Sequence, residues 1–138
     1  LKPFIDATYR TLPGRADTFV MGSSMGGLIS QYAMSRYPDV FGGAGCVSTH
    51  WPAGTGIALD DFAALLPDPA THRYWFDYGT RTLDADYEPY QQRADEILRK
   101  AGYVEGQNWT TRKFEDAEHS EKAWRVRVHQ PLEFLLGR

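Results

Sequence analysis

One serine of this chain stands in a pattern that can turn a hydroxyl group into a nucleophile. Ser24 lies in Gly22-Ser23-Ser24-Met25-Gly26, which has the form Gly-x-Ser-x-Gly. In this pattern the chain turns sharply from a strand into a helix and exposes the serine hydroxyl at the end of the strand. We expect glycine at both ends because a side chain there would collide with the neighbouring strand or helix. Ser24 is therefore the candidate nucleophile.

The four histidines are the candidates for a base, because a serine hydroxyl attacks a carbonyl carbon only when an imidazole takes its proton. His72 precedes a predicted strand, and His129 lies inside a predicted helix, where a surface role is expected. His50 and His119 each follow a predicted strand. We predict that His119, which follows the last strand, is the base, and that His50 lies in a substrate pocket.

The imidazole in turn needs a carboxylate that fixes its tautomer and stabilises its charged form. Asp84 and Asp86 lie on the polar loop after the third predicted strand, whereas Asp77 lies inside that strand. We predict Asp84 as the acid and keep Asp86 as the alternative.

The elements that position these side chains alternate between strand and helix along the chain. Runs of β-branched and aromatic or small residues predict strands at residues 18–21, 41–48, 73–78 and 108–114. Apolar spacing predicts helices at residues 2–12, 26–37, 59–66, 89–101 and 121–136, the last kinked or split at Pro131. This alternation is typical of an α/β fold with about four mostly parallel strands flanked by helices. Reactive groups in such sheets collect beyond the carboxyl ends of the strands, where Ser24, Asp84 and His119 are expected.

Composition excludes several classes of protein. With 138 residues, 42% of them hydrophobic, the chain is expected to form a single domain over residues 1–138. A net charge of −3 without a basic cluster argues against nucleic-acid binding, and no apolar run approaches the roughly 20 residues of a membrane span. Cys46 is the single cysteine, which excludes an internal disulfide and a thiolate metal cluster. We predict no metal and no cofactor; the compartment stays open, because a targeting segment would lie upstream.

Three segments together resemble the putative esterase family of α/β-hydrolases, which includes S-formylglutathione hydrolase, enterobactin esterases, feruloyl and acetylxylan esterases, and mycolyltransferases. The segments are Gly-Ser-Ser-Met-Gly-Gly at residues 22–27, Phe-Asp-Tyr-Gly-Thr at residues 76–80 followed by Asp84, and His119-x-Glu121-x-x-Trp124. The resemblance covers essentially the whole chain. The order serine, aspartate, histidine is also the order found in α/β-hydrolases.

The resemblance implies a serine carboxylic-ester hydrolase that acts on a small-molecule ester through an acyl-enzyme. Ser24 would attack the ester carbonyl, His119 would act as general base and then as general acid, and Asp84 would orient His119. The backbone N–H of Met25 would be one donor of the oxyanion hole.

Complete members of this family have further strands before the elbow, and the loop after an early strand supplies the second oxyanion donor. We therefore expect the C-terminal part of an α/β-hydrolase, with an exposed sheet edge that pairs with a second copy or with the missing N-terminal half. Ser23, His50 and Trp51 are the candidates for the substrate pocket. Two alternatives stay open: an acyltransferase of the same fold, and a non-catalytic association fragment that lacks half of the oxyanion hole.

Overall fold

Four parallel strands form the centre of the structure, a computed structural model that describes residues 1–137. The strands lie side by side in chain order, and every neighbouring pair is parallel. Their bounds are β1 Phe19–Ser23, β2 Gly43–Val47, β3 Arg73–Gly79 and β4 Trp109–Phe114. The predicted α/β fold with parallel strands and flanking helices is confirmed.

Helices connect the strands and cover both faces of the sheet. Their bounds are α1 Lys2–Thr8, α2 Met25–Arg36, α3 Ala58–Leu65, α4 Glu88–Lys100, α5 Glu121–Arg125 and α6 His129–Leu136. Short 3-10 turns lie at Arg15–Asp17, Ala53–Gly56 and Thr82–Asp86, the last in the predicted polar loop. Within residues 1–137, no helix is both long enough and apolar enough to cross a membrane.

An aromatic core lies between one face of the sheet and helices α2, α3 and α4. Its fully buried aromatic side chains are Trp51, Phe62, Tyr74, Phe76 and Trp109. The rings of Phe62 and Tyr74 pack edge to face, with centroids 5.4 Å apart, the geometry that aromatic pairs prefer. This contact packs α3 against β3.

The opposite face is covered by α6, which lies close to β2 because this strand is built from small residues. A Cβ atom on Gly43 would lie 2.9 Å from a methyl group of Leu135, and one on Gly45 would lie 3.2 Å from the other methyl group. Both distances are shorter than ordinary contact, so larger side chains at these positions would push α6 away from the sheet.

The first helix is shorter than predicted. It ends at Thr8, and Tyr9 has extended backbone angles, whereas the apolar spacing predicted a helix that continues to residue 12. The predicted apolar stripe is not buried: the side chains of Tyr9 and Leu12 are each 62% exposed. Without tertiary packing, so short a helix gains little stability from continuing.

The closing helical segment is split, as predicted, but the break lies before Pro131. α5 ends at Arg125 and α6 begins at His129, so Pro131 falls in the first turn of α6. A proline is tolerated there because the N–H that it lacks would have no helical acceptor. The proline therefore fits the start of the second helix, and the chain changes direction at residues 126–128.

Candidate active site

The elbow is a sharp turn between β1 and α2, with Ser24 at its corner. Ser24 has φ 58° and ψ −118°, a strained conformation of a kind that costs on the order of 1–3 kcal/mol and clusters at functional sites. Backbone hydrogen bonds hold it in place. The Ser24 N–H donates to the carbonyl of Val47 at 2.8 Å, and the Ser24 carbonyl accepts from the N–H groups of Gly27 and His50.

Close packing requires only the first glycine of the motif. A Cβ atom on Gly22 would lie 2.6 Å from the carbonyl oxygen of Gly26, which no real side chain tolerates. A Cβ atom on Gly26 would meet no atom within 4 Å, so the collision expected there is wrong. The contact with Gly22 involves only the backbone of Gly26, and a side chain at position 26 would point into open space.

A continuous hydrogen-bonded path joins Ser24, His119 and Asp84. Ser24 Oγ lies 2.8 Å from His119 Nε2, and His119 Nδ1 lies 2.5 Å from Asp84 Oδ1. Ser24 and His119 are 95 positions apart in sequence; the three side chains meet because they follow β1, β3 and β4 at one edge of the sheet. An Nδ1–H that donates to the carboxylate leaves Nε2 free to accept the serine proton.

Asp84 is buried and held by more than the histidine. Its side chain lies in the 3-10 turn that follows β3, and the residue is 1% exposed. Asp84 Oδ2 accepts a hydrogen bond from the Ser48 hydroxyl and another from the Gly79 N–H, each at 2.6 Å. The alternative acid, Asp86, is exposed to solvent. The geometry therefore brings Asp84, and not Asp86, to the imidazole.

His119 is held at its backbone and at its ring. Its N–H donates to Thr82 Oγ1 at 2.8 Å, across the gap between two loops. Its ring packs edge to face against Trp124, with centroids 5.0 Å apart, and against Tyr87 at 5.7 Å. The imidazole is thereby confined to the orientation that reaches both Ser24 and Asp84.

A family model described as "Esterase: Putative esterase" matches residues 1–134. This chain belongs to the putative esterase family. No curated protein sequence matches it. The resemblance inferred from the elbow, the strand end and the histidine motif is confirmed.

Several solved structures share the fold of this esterase-family chain. A ferulic acid esterase is 19% identical with a TM-score of 0.73, and the match covers 96% of this chain and 56% of that one. S-formylglutathione hydrolase from Staphylococcus aureus is 14% identical with a TM-score of 0.71, covering 98% and 57%. Enterochelin esterase from Shigella flexneri is 24% identical with a TM-score of 0.74, covering 98% and 34%. The chain thus spans little more than half of the ferulic acid esterase and of the S-formylglutathione hydrolase, and about a third of the enterochelin esterase.

His50 lies beside the hydrogen-bonded path from Ser24 through His119 to Asp84. It pairs with Tyr87, which the sequence analysis did not identify. The Tyr87 hydroxyl lies 2.5 Å from His50 Nδ1, and the ring centroids of His50 and His119 are 6.5 Å apart. Burial raises the pKa of the Tyr87 hydroxyl, the charge of Asp84 raises it further, and hydrogen bonding to Ser24 lowers it. Tyr87 therefore stays protonated next to Ser24.

The other two pocket candidates differ in position. Ser23 lines a cavity of about 170 Å³ together with Val47 and Trp124, next to the elbow. Trp51 is 0% exposed, and its indole N–H donates to Gln91 Oε1 at 2.9 Å. Trp51 is a core residue, so the expectation that it lines the substrate pocket is wrong. Its position after β2 at the reactive edge gave no information about the direction of its side chain.

Met25 is the first residue of α2, directly after Ser24. The N–H groups of the first helical turn have no acceptor within their own helix and point along the axis, where the helix dipole is positive. The Met25 N–H is therefore the candidate donor to an oxygen that bears negative charge next to Ser24 Oγ.

His72 and His129 lie away from the path, as predicted. His72 is buried at the opposite edge of the sheet, where its Nε2 lies 2.9 Å from the carbonyl of Pro38, and His129 is exposed.

Asp77, inside β3, forms a buried ion pair with Arg127, with 2.8 Å between Oδ1 and Nη2. Burial raises the pKa of Asp77 although the Arg127 charge lowers it.

Sequence reasoning also missed the role of Ser48, which contacts Asp84. Ser48 follows β2 at the same edge where Ser24 follows β1. The rule that reactive groups collect at the carboxyl ends of parallel strands could have found it.

Within residues 1–137, no group of three or more histidine, cysteine, aspartate or glutamate side chains could hold a metal ion.

Proposed function

We propose that this chain carries the Ser24-His119-Asp84 triad of a serine carboxylic-ester hydrolase that acts on a small-molecule ester. The observation that supports the proposal is the path from Ser24 Oγ through the His119 imidazole to Asp84, with donor–acceptor distances of 2.8 and 2.5 Å. Membership of the esterase family supports the same reaction class.

In the first half of the reaction, Ser24 Oγ attacks the ester carbonyl carbon while His119 Nε2 takes its proton. Asp84 holds Nδ1–H and stabilises the imidazolium that forms. The carbonyl oxygen becomes negative and accepts a hydrogen bond from the Met25 N–H; losing one such donor costs on the order of a hundredfold or more in rate. The bond from carbon to the alcohol oxygen then breaks, and His119 gives its proton to the alcohol.

In the second half, a water molecule attacks the acyl group carried by Ser24. His119 Nε2 takes a proton from this water, the ester bond to Ser24 breaks, and the proton passes to Ser24 Oγ. The carboxylic acid leaves, and the serine is regenerated. Every proton transfer in this scheme uses the one imidazole.

We further propose that the free edge of β1 pairs with a further strand of the same hydrolase domain. β1 is the outermost strand of the sheet, and Met21 on this strand is 39% exposed. An apolar groove of about 850 Å³ runs alongside it between α1, Phe19, Phe41 and Leu135. An exposed apolar strand edge is prone to pair with another strand. The second oxyanion donor would come from this added part.

Labelling with a fluorophosphonate tests the proposed reaction, because this probe bonds to an activated serine hydroxyl. In the complete protein that carries this sequence, peptide mapping should locate the label on Ser24. Ser24→Ala should abolish labelling and p-nitrophenyl acetate hydrolysis, whereas Ser35→Ala, a change of another buried serine, should preserve both. An unlabelled wild type, or a label that persists in Ser24→Ala, would contradict the proposal.

The oligomeric state tests the proposal for β1. Light scattering should find that residues 1–138 alone associate, whereas the complete protein should be a monomer. In this monomer, the amides of residues 19–23 should be protected from hydrogen exchange. Protection that appears only in a dimer of the complete protein would instead identify a second copy as the partner of β1 and would refute the proposed strand.

A further inference from the structure

We propose that Ser48 is a positioning residue, whose hydroxyl group is aimed at the triad acid Asp84 by Trp124 and Arg127. The inference rests on the proposed function, because it concerns the acid of the same triad. Ser48 follows β2 and is 0% exposed, so its side chain is sealed from solvent beneath the reactive edge. Its hydroxyl reaches Asp84 Oδ2 at 2.6 Å.

The direction of the Ser48 hydroxyl hydrogen is set by its other two partners. Trp124 Nε1 lies 2.9 Å and Arg127 Nη2 lies 2.8 Å from Ser48 Oγ. Both groups can only donate hydrogen bonds, so both lone pairs of the hydroxyl oxygen accept. The one hydroxyl hydrogen is then left for Asp84, which can only accept when it is ionised.

This bond restricts rotation of the Asp84 carboxylate. Oδ2 accepts from Ser48 and from the Gly79 N–H, while Oδ1 accepts from His119 Nδ1. Hydrogen bonds to an ionised acceptor are short and strong, and a connected set of them is stiffer than its separate members. Without the Ser48 hydroxyl, the Gly79 N–H would be the one remaining donor to Oδ2 while Oδ1 stays bonded to the imidazole.

The backbone at Ser48 supports a role for its side chain. Ser48 has φ 41°, in the left-handed region that glycine occupies without strain. Glycine at this position would relieve the strain but would remove the hydroxyl group. A serine therefore occupies a position where the backbone favours glycine, and its hydroxyl makes the contact with Asp84.

The same cluster also contacts the imidazole, because Trp124 of α5 touches His119 directly and reaches Asp84 through Ser48. The indole of Trp124 donates to Ser48 and packs edge to face against His119, with centroids 5.0 Å apart. Arg127 is held from the other side by Asp77, which also accepts from the indole of Trp75 at 2.8 Å. Two nitrogens of the buried Arg127 guanidinium, Nε and Nη1, have no hydrogen-bond partner among the described residues, whereas Nη2 contacts both Ser48 and Asp77.

Two substitutions of Ser48 test the proposal in the complete protein that carries this sequence. Ser48→Ala removes the hydroxyl group, and Ser48→Gly removes both the hydroxyl group and the backbone strain, so the glycine variant should fold even where the alanine variant does not. Both should lower kcat for p-nitrophenyl acetate by about 10- to 100-fold, the effect of losing one hydrogen bond to a charged group, with KM within about twofold. Ser35→Ala, a matched loss of a buried hydroxyl group, should leave kcat unchanged.

A double-mutant cycle distinguishes positioning from general structural support. In an Asp84→Asn background, removing the Ser48 hydroxyl should lower the residual kcat by less than about twofold, because its effect passes through the carboxylate. A structural role would give the same fold loss in both backgrounds, and that result would overturn the proposal. So would a folded Ser48→Gly variant with wild-type kcat.

The outcome for the wild type separates this inference from the proposed function. A wild type that hydrolyses the ester and labels at Ser24, with unaffected Ser48 variants, overturns only the positioning role. A wild type that does neither overturns the proposed function and the positioning role together.

Discussion

Replacing Asp84 with asparagine should reverse which nitrogen of His119 carries the proton. The side-chain amide that Asp84→Asn introduces has one oxygen, which accepts, and one nitrogen, which donates. In the wild type, the Asp84 oxygen that points away from His119, Oδ2, accepts from the Ser48 hydroxyl and from the Gly79 N–H, each at 2.6 Å. The amide oxygen must therefore turn inwards, and the amide nitrogen must face His119.

An amide nitrogen that faces His119 Nδ1 requires this ring nitrogen to accept. The proton of the neutral imidazole then moves to Nε2, the nitrogen that lies 2.8 Å from Ser24 Oγ in the wild type. An Nε2 that already carries a proton cannot take the serine proton. We expect kcat to fall by about 10⁴-fold, the size of the effect in serine proteases whose histidine is held in the wrong tautomer. This loss corresponds to roughly 5 kcal/mol of transition-state stabilisation.

Hydrolysis of p-nitrophenyl acetate, followed by release of the nitrophenolate, measures this loss in the complete protein. Asp86→Asn is the matched control, since it makes the same chemical change two positions away on an exposed side chain. It should keep kcat within about twofold, as surface substitutions usually do. Thermal unfolding of both variants checks that the fold is intact.

Two results would refute the reasoning about the acid. Asp84→Asn with kcat within about tenfold of the wild type would mean that the hydrogen bond to Asp84 does not control the tautomer. A collapse of kcat in Asp86→Asn, with normal turnover in Asp84→Asn, would assign the acid to the exposed loop residue.

Gly22→Ala should lower the free energy of unfolding by about 1–3 kcal/mol, since its Cβ would lie 2.6 Å from the Gly26 carbonyl oxygen, whereas Gly26→Ala should cost nothing; equal losses in urea unfolding would contradict this difference. Ser24→Gly should raise the free energy of unfolding by roughly 1 kcal/mol and abolish ester turnover, because glycine accepts the φ of 58° without strain; a less stable variant would show that the elbow is not strained. Burial raises the pKa of Asp95, so its carboxylate weakens folding at neutral pH, and protonation favours the folded state. As the pH falls from about 7 to about 4, the wild type should therefore gain stability relative to Asp95→Asn, and a difference independent of pH would refute the raised pKa.

The sequence by itself determined the elbow, the order of the elements and the edge at which the reactive groups collect. The turn at Ser24 is local, because Gly22 and the run of β-rich residues before it specify strand, corner and helix within a few positions. The alternation of strands and helices determines a parallel sheet, and a parallel sheet carries the ends of its strands to one edge. That rule, together with the order of the residues along the chain, brought Asp84 and His119 into consideration together.

The tertiary structure decided which side chains at that edge point inwards. Asp84 and Asp86 share one short turn, and only packing against Ser48 and Gly79 distinguishes the buried carboxylate from the exposed one. Trp51 lies at the predicted edge but turns into the core, where Gln91 satisfies its indole.

The contacts of Ser48 also depend on the tertiary structure, because they join residues far apart in sequence. Asp84 is 36 positions from Ser48, and Trp124 is 76 positions away. Local sequence preferences determine where a strand or a turn ends, but the direction of a side chain at that end depends on the helices packed around it. The sequence therefore located Ser24 at its elbow, and the packing of Trp124 and Arg127 against the sheet edge determined the surroundings of Asp84.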